Sequence, residues 1–342
     1  MGVTSEIFIY PPRQQKHITG DVIRGIVRYH VEEETEYKNI ALSLVGKGYC
    51  KWRSNKTWFV GKEKILVQKI YLLNQITDEK ITLSVGSYEY PFEIIIPENV
   101  PPSVITSIGE IKYTLVLKFK NTASFSRDKT FKRRIVIYPR IDSLLPDEPV
   151  VAKLDKTLFK PFSSKEQEIN LEAVIDKGYL TPFGERNISF NVINKSDVIF
   201  SIKTELVSKT KYRADFNGKL TKSKVIHACT ERTPEIPDNS ESNMFNTIPV
   251  QAPNICTVRH SEVIKREYSL RVTLKLPMPH VNSSVDIPVF VGEVPISYAE
   301  EAGEPADEIP PNWEAMNEVG FFILTLEPRF ISLGGEFWKI LT

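Results

Sequence analysis

The side chains best suited to chemistry are few and scattered. His227 and Cys229 lie two apart, so in a strand they share a face, the placement a thiol nucleophile and its base would need. The plainer reading, a half-buried thiol beside a surface imidazole, is favoured. The five histidines (17, 30, 227, 260 and 280) never fall in HxxxH or HExxH spacing, so no metal site is expected. Cys50, Cys229 and Cys256 are scattered without CxxC spacing. "GKGYCK", starting at Gly46, has two glycines but no third and opens no helix, so it fails as a dinucleotide loop. The expectation is a protein without catalytic residues, metal or cofactor.

Charge offers more than nucleophiles do. "KTFKRRIVIYPR" packs Lys129, Lys132, Arg133, Arg134 and Arg140 around a strand. Such a run is commonly a solvated edge that discourages sheet-to-sheet pairing. The functional version, centred on Lys129, Lys132, Arg133 and Arg134, is an anion patch for phosphorylated tails or acidic lipid heads, allowing peripheral membrane association. Lys47, Lys51, Arg53 and Lys56 are interleaved with Trp52 and Trp58; a core Trp flanked by exposed bases accounts for them more simply than nucleic acid does. Near the end, "EIPPNWEAMNE" places Pro310, Pro311 and Trp313 in a Pro-Pro-x-aromatic segment. This reads either as a linker or as a polyproline II stretch for an aromatic groove.

The elements that must position these groups are strands. In "YTLVLKF", Tyr113, Leu115, Leu117 and Phe119 alternate with Thr114, Val116 and Lys118. "EYSLRVTLKL", "NISFNVI" and "VRYHVE" repeat the period of two, the pattern of antiparallel strands with one face buried and one wet. Long helical periods are missing before residue 310, and 23 prolines and 16 glycines punctuate short runs, as in all-β folds. The 342 residues suggest two domains, and the formal net charge of +1 supplies no global field for nucleic acid. "GDVIRGIVRY" (20–29) and "GERNISFNVI" (184–193) form a weak internal repeat. The seam falls in the proline-rich "YPRIDSLLPDEPVVAKL". The expected division is 1–145, 146–298 and a tail over 299–342, acidic and proline-rich and then briefly apolar. An odd number of cysteines, no secretion signal and no stretch of about 18 apolar residues favour a cytoplasmic, reducing setting. Extracellular adhesion by sandwich domains is a further reading, which paired cysteines would favour.

Several segments, in order, resemble the α-arrestins, the arrestin domain-containing proteins. They are "GDVIRGIVRY", "YKNIALSLVGKGYCKW", "VGSYEYPFEIIIPENVPPSV" and "GEIKYTLVLKF" in the first half. In the second half they are "KGYLTPFGERNISFNVINKSDVIFSIKTEL", "YSLRVTLKLPMP" and "DIPVFVGEVPI". The resemblance implies two tandem immunoglobulin-like β-sandwiches, arrestin-like N- and C-domains. It also implies a non-enzymatic cytosolic adaptor, found at plasma membrane and endosomes. Such a protein recognises cytoplasmic segments of receptors or transporters and recruits HECT ubiquitin ligases through PPxY motifs and WW domains. Here Pro310, Pro311 and Trp313 stand where PPxY is common, and tryptophan lacks the phenol hydroxyl. A retromer-subunit-like coat or scaffold component, with the same fold and no ligase, is the alternative. The resemblance also makes "ENVPPSVITSIGE" the irregular crossing between two strands, with Gly109 giving the turn into the second.

Overall fold

A computed structural model describes residues 2–12, 15–73, 80–122, 127–141, 148–159, 167–215, 218–251, 255–294, 330–333 and 336–339. The first half contributes β1 (Val3–Ile9), β2 (His17–Ile18), β3 (Val22–Val31), β4 (Thr35–Ser54), β5 (Thr57–Leu73) and β6 (Ile81–Leu83). β7 (Gly86–Ile95), β8 (Val104–Ile105), β9 (Gly109–Asn121), β10 (Lys129–Ile135) and β11 (Ile137–Tyr138) complete it. The second half holds β12 (Val150–Leu158), β13 (Gln167–Ile175), β14 (Tyr179–Leu180), β15 (Glu185–Asn194), β16 (Ser201–Arg213) and β17 (Lys219–Arg232). β18 (Ser240–Pro249), β19 (Ile264–Lys275) and β20 (Ser283–Val291) follow, and β21 (Phe330–Leu333) with β22 (Glu336–Lys339) forms a separate hairpin. The expected boundaries at 145/146 and 298/299 lie outside the described residues.

The alternating pattern translates directly into two-layer packing. In β9, Tyr113, Leu115, Leu117 and Phe119 are fully buried, while Thr114, Val116 and Lys118 point outward. They belong to the sheet ordered β10-β9-β4-β5 and pack with Val27, Tyr29 and Val31 of the sheet β1-β3-β7. Tyr29 stacks on Tyr88 and Tyr90 and meets Phe119 edge-on at 5.1 Å, filling the space between layers. The second sandwich follows the same plan, with sheet β12-β13-β15-β18 facing β14-β20-β19-β16-β17. Its core gathers Ile188, Phe190, Val192, Leu270, Val272 and Leu274. The strand order β20-β19-β16-β17 matches β10-β9-β4-β5. The short strands β2 and β14 precede the two segments of the sequence repeat, and each pairs in parallel with a strand from the end of its own half, β11 and β20. Tandem immunoglobulin-like sandwiches are thus the architecture.

The proline-studded stretch between β7 and β9 carries the chain from one sheet to the other. Pro101 and Pro102 have no N–H to satisfy, and the Pro101 carbonyl accepts from the buried Tyr113 hydroxyl at 2.5 Å. Ser103 N–H donates to the Ile137 carbonyl at 2.7 Å, and Ile137 N–H returns a bond to Ser103 Oγ at 3.0 Å. Gly109 closes the turn into β9, its carbonyl accepting from the Thr106 N–H at 2.9 Å and from Thr106 Oγ1 at 2.8 Å. Gly109 begins β9, and its lack of a side chain serves close approach: a Cβ there would lie 2.4 Å from the Tyr49 carbonyl oxygen. Thr106 forms the other end of the turn, its Oγ1 accepting from the N–H groups of Ile108 and Gly109 at 3.2 and 2.9 Å.

Residues 1–295 form one compact unit in which the sandwiches meet where β19 and the loop before it approach β4, β5 and β9. Val258, Val263 and Ile264 from the second half join the first core. Glu63 on β5 reaches across to the loop before β19. One of its carboxylate oxygens accepts from Ser261 Oγ at 2.7 Å, Glu262 N–H at 3.0 Å and Val263 N–H at 3.4 Å. The Cys50 thiol donates to the Arg213 carbonyl at 3.1 Å, and Lys16 Nζ pairs with Glu293 at 2.7 Å.

Candidate partner-binding surface

The basic run on β10 is an edge strand paired only to β9, and its register splits the expected patch in two. Lys132 and Arg134 stand opposite Val116 and Thr114 and point outward from the sheet. Lys129 and Arg133 stand opposite Phe119 and Leu115, at core-facing positions on the open rim. Lys129 Nζ there donates to the Val3 carbonyl at 3.2 Å, tying the two sheet edges together. So Lys129, Lys132, Arg133 and Arg134 are near neighbours that serve two different faces.

Beside this rim lies a cleft of about 280 Å3 whose lining includes Tyr10, Lys16, His17, Arg133 and Tyr138, with Arg134 of the outward-facing pair also reaching its wall. The Tyr10 hydroxyl and His17 Nδ1 are buried there with no hydrogen-bond partner among the described residues. Burial pushes the Tyr10 phenol up and the His17 imidazole down, so both stay neutral near pH 7 and the cations supply the charge. Lys16 is already paired with Glu293. Arg133 and Arg134 are therefore the lining cations, without an ion pair among the described residues, that could meet an anionic group beside the two unsatisfied polar atoms.

The outward face continues across β9, β4 and β5. Trp52 is 8% exposed and stacks on Phe59 at 5.5 Å against the core, whereas Trp58 is 57% exposed on the opposite side. Lys51 Nζ sits 4.4 Å from the Trp58 ring centre and the Arg53 guanidinium 5.8 Å from it. The β4–β5 hairpin that carries them closes with Asn55 and Lys56 at φ of 46° and 67°. Both residues of the two-residue turn therefore adopt the left-handed conformation that matches the strand twist.

Cys50, Cys229 and Cys256 are all buried and free. Burial raises all three thiols, Cys256 to about 11, so none is poised as a thiolate. Pro310, Pro311 and Trp313 lie outside the described residues, as does the side chain of His227. Sequence reasoning missed Glu63, an isolated acid among bases whose role depends on a loop some two hundred residues away.

The family described as arrestin (or S-antigen), N-terminal domain, matches residues 9–143, and its C-terminal domain counterpart matches residues 165–296. The chain belongs to the arrestin-domain-containing family. It is 21% identical over 325 residues to arrestin domain-containing protein 5 of Bos taurus, covering 86% of this chain and 93% of that protein. With human arrestin domain-containing protein 1 it shares 24% over 302 residues, 85% of this chain and 65% of the relative. With arrestin domain-containing protein B of Dictyostelium discoideum it shares 21% over 263 residues, 76% of this chain and 41% of the relative. The chain thus spans about two-thirds of the human protein and under half of the Dictyostelium one. Domains of this family are non-catalytic binding modules, and membership assigns an arrestin-like adaptor role in general terms.

Proposed function

We propose that this protein is a non-enzymatic cytoplasmic adaptor of the α-arrestin type. In this reading it engages cytoplasmic segments of membrane receptors or transporters, works at plasma membrane and endosomes, and links its cargo to a WW-domain HECT ubiquitin ligase. The observation that carries the proposal is the order of parts. Two arrestin domains in series over residues 9–296 are followed by the Pro310-Pro311-Asn312-Trp313 segment. Proline pre-sets the polyproline II conformation and so lowers the ordering entropy of docking; tryptophan keeps an aromatic body for the groove but forgoes the tyrosine hydroxyl.

The test is capture of the purified full chain by isolated WW domains, wild type against Trp313→Ala. Binding lost in the variant supports ligase recruitment. Equal capture of both chains, or none of either, removes that part and leaves the coat or scaffold reading, which predicts stable co-purification with a large coat partner and no cargo-dependent ubiquitination. Proximity labelling in cells with the same pair of chains would identify cargo and ligase together.

A further inference from the structure

The outward face of the β10-β9-β4-β5 sheet is strongly and unevenly charged. Register places Lys112, Lys47 and Lys64 abreast on three adjacent strands. Glu110, Tyr49 and Lys62 form the next row, with Lys51 beside Val60 and Arg53 beside Trp58 beyond it. In the other direction, Lys69 and Lys132 end one row and Arg134 and Val67 another. Of these cations only Lys112 has an ion pair among the described residues, with Glu110 at 2.5 Å. Like charges directly opposite in a sheet weaken it, so the row of three lysines works against folding and needs another reason to exist. The equivalent face of the second sandwich also sets like charges opposite each other, Lys211 beside Lys265 and Lys203 beside Arg232, but there Glu205, Glu267 and Asp286 are interleaved among the cations.

We propose that this face is a docking surface for an anionic lipid bilayer. The cations are spread along ten residues of β4, about 33 Å, and across four strands, about 14 Å, a plane of separate charges instead of a pocket around one anion. Most are lysines, whose compact charge suits a diffuse headgroup layer and lacks the fork that grips a single phosphate. Trp58, Tyr49 and Val67 protrude among them, 57%, 37% and 47% exposed, supplying the amphipathic and apolar bodies that settle at a headgroup boundary. Val67, an exposed apolar side chain that no base would stack on, favours the headgroup boundary over a nucleic acid. The proposal deepens the adaptor reading by naming the surface that faces the membrane.

The experiment is sedimentation of the full chain with vesicles of phosphatidylcholine, with and without about 30 mol% phosphatidylserine. Wild type is expected to bind only the anionic vesicles and to release as salt rises from roughly 0.1 to 0.5 M. With each cation changing partitioning about fivefold, the triple variant Lys47→Gln/Lys64→Gln/Lys69→Gln should bind about a hundredfold more weakly. The glutamate version should not bind at all, and Lys153→Glu/Lys195→Glu in the second sandwich should bind as wild type does. Equal binding to neutral vesicles, binding retained by the triple variants, or retention on an RNA oligonucleotide without vesicle binding would each overturn the proposal. The glutamine set, with its melting temperature, separates lost binding from lost folding. WW-domain capture by the same variants stays at the wild-type level, so failure here and failure of the ligase reading are told apart.

Discussion

The two equivalent four-strand segments, β10-β9-β4-β5 and β20-β19-β16-β17, share strand order but not the treatment of their outward faces. On the second, Arg271 makes two hydrogen bonds to Asp286 at 2.7 and 2.9 Å, Lys211 pairs with Glu267 at 2.9 Å and Lys203 with Glu205 at 2.5 Å. On the first, Lys47, Lys64, Lys69 and Lys132 face solvent in no ion pair among the described residues. Both faces also set like charges opposite each other, Lys47 beside Lys64 and Lys112 on the first and Lys211 beside Lys265 on the second. The first pairs Lys112 with Glu110 and Lys118 with Asp128 at its edge, and the second spreads three acids among its cations. The difference teaches that the shared inner pattern belongs to folding and the divergent outer one to partners.

If so, the inner faces must behave alike. Leu115 and Leu270 hold central, fully buried positions in the two sheets, and truncating either to alanine should cost about 2–5 kcal/mol in chemical denaturation. A much smaller cost at one would break the equivalence. Next in size, stripping the carboxylates of the second face with Glu205→Gln, Glu267→Gln and Asp286→Asn should give it anionic-vesicle binding of its own. Three uncovered charges would raise partitioning by up to about a hundredfold in the sedimentation assay. A smaller effect concerns stability. Lys47→Thr relieves the row of lysines and should stabilise by about 0.5 kcal/mol, while Arg271→Thr removes a matched pair and should destabilise by a similar amount, both read by melting.

The smallest effect lies at the edge of the first face. Asp128 is held below the usual carboxylate range, first by the hydrogen bond from Lys118 and also by the Asn121 N–H. Its folded value is depressed, so its stabilisation is complete above about pH 4 and fades as pH falls through the lowered value. Lys118→Gln should flatten the acid limb of the stability curve by a few tenths of a kcal/mol, after solvent screening. An unchanged limb would leave that pair without a role.

Strand existence and burial were legible in the sequence because a period of two is local. Tyr113 to Phe119 alternate in the chain and alternate in burial. The arrestin resemblance was legible because its segments keep their order in both halves. What escaped depends on pairing across distance. Nothing local says that Lys64 and Lys112 flank Lys47, since that row depends on a bulge at Gly46/Lys47 and on which strand is central. The same register separated Lys132 and Arg134 from Lys129 and Arg133, which read as one cluster in sequence. The turn at Gly109 was legible because glycine permits one; the Tyr49 carbonyl that crowds it was not, since it comes from a neighbouring strand.

Lysine footprinting with an amine-reactive acylating reagent, on the full chain with and without phosphatidylserine vesicles, bears most directly on the contrast between the faces. The structure predicts that Lys47, Lys62, Lys64 and Lys69 become protected while Lys203 and Lys211 label as before. Equal protection of both sets, or none on the first, would contradict it.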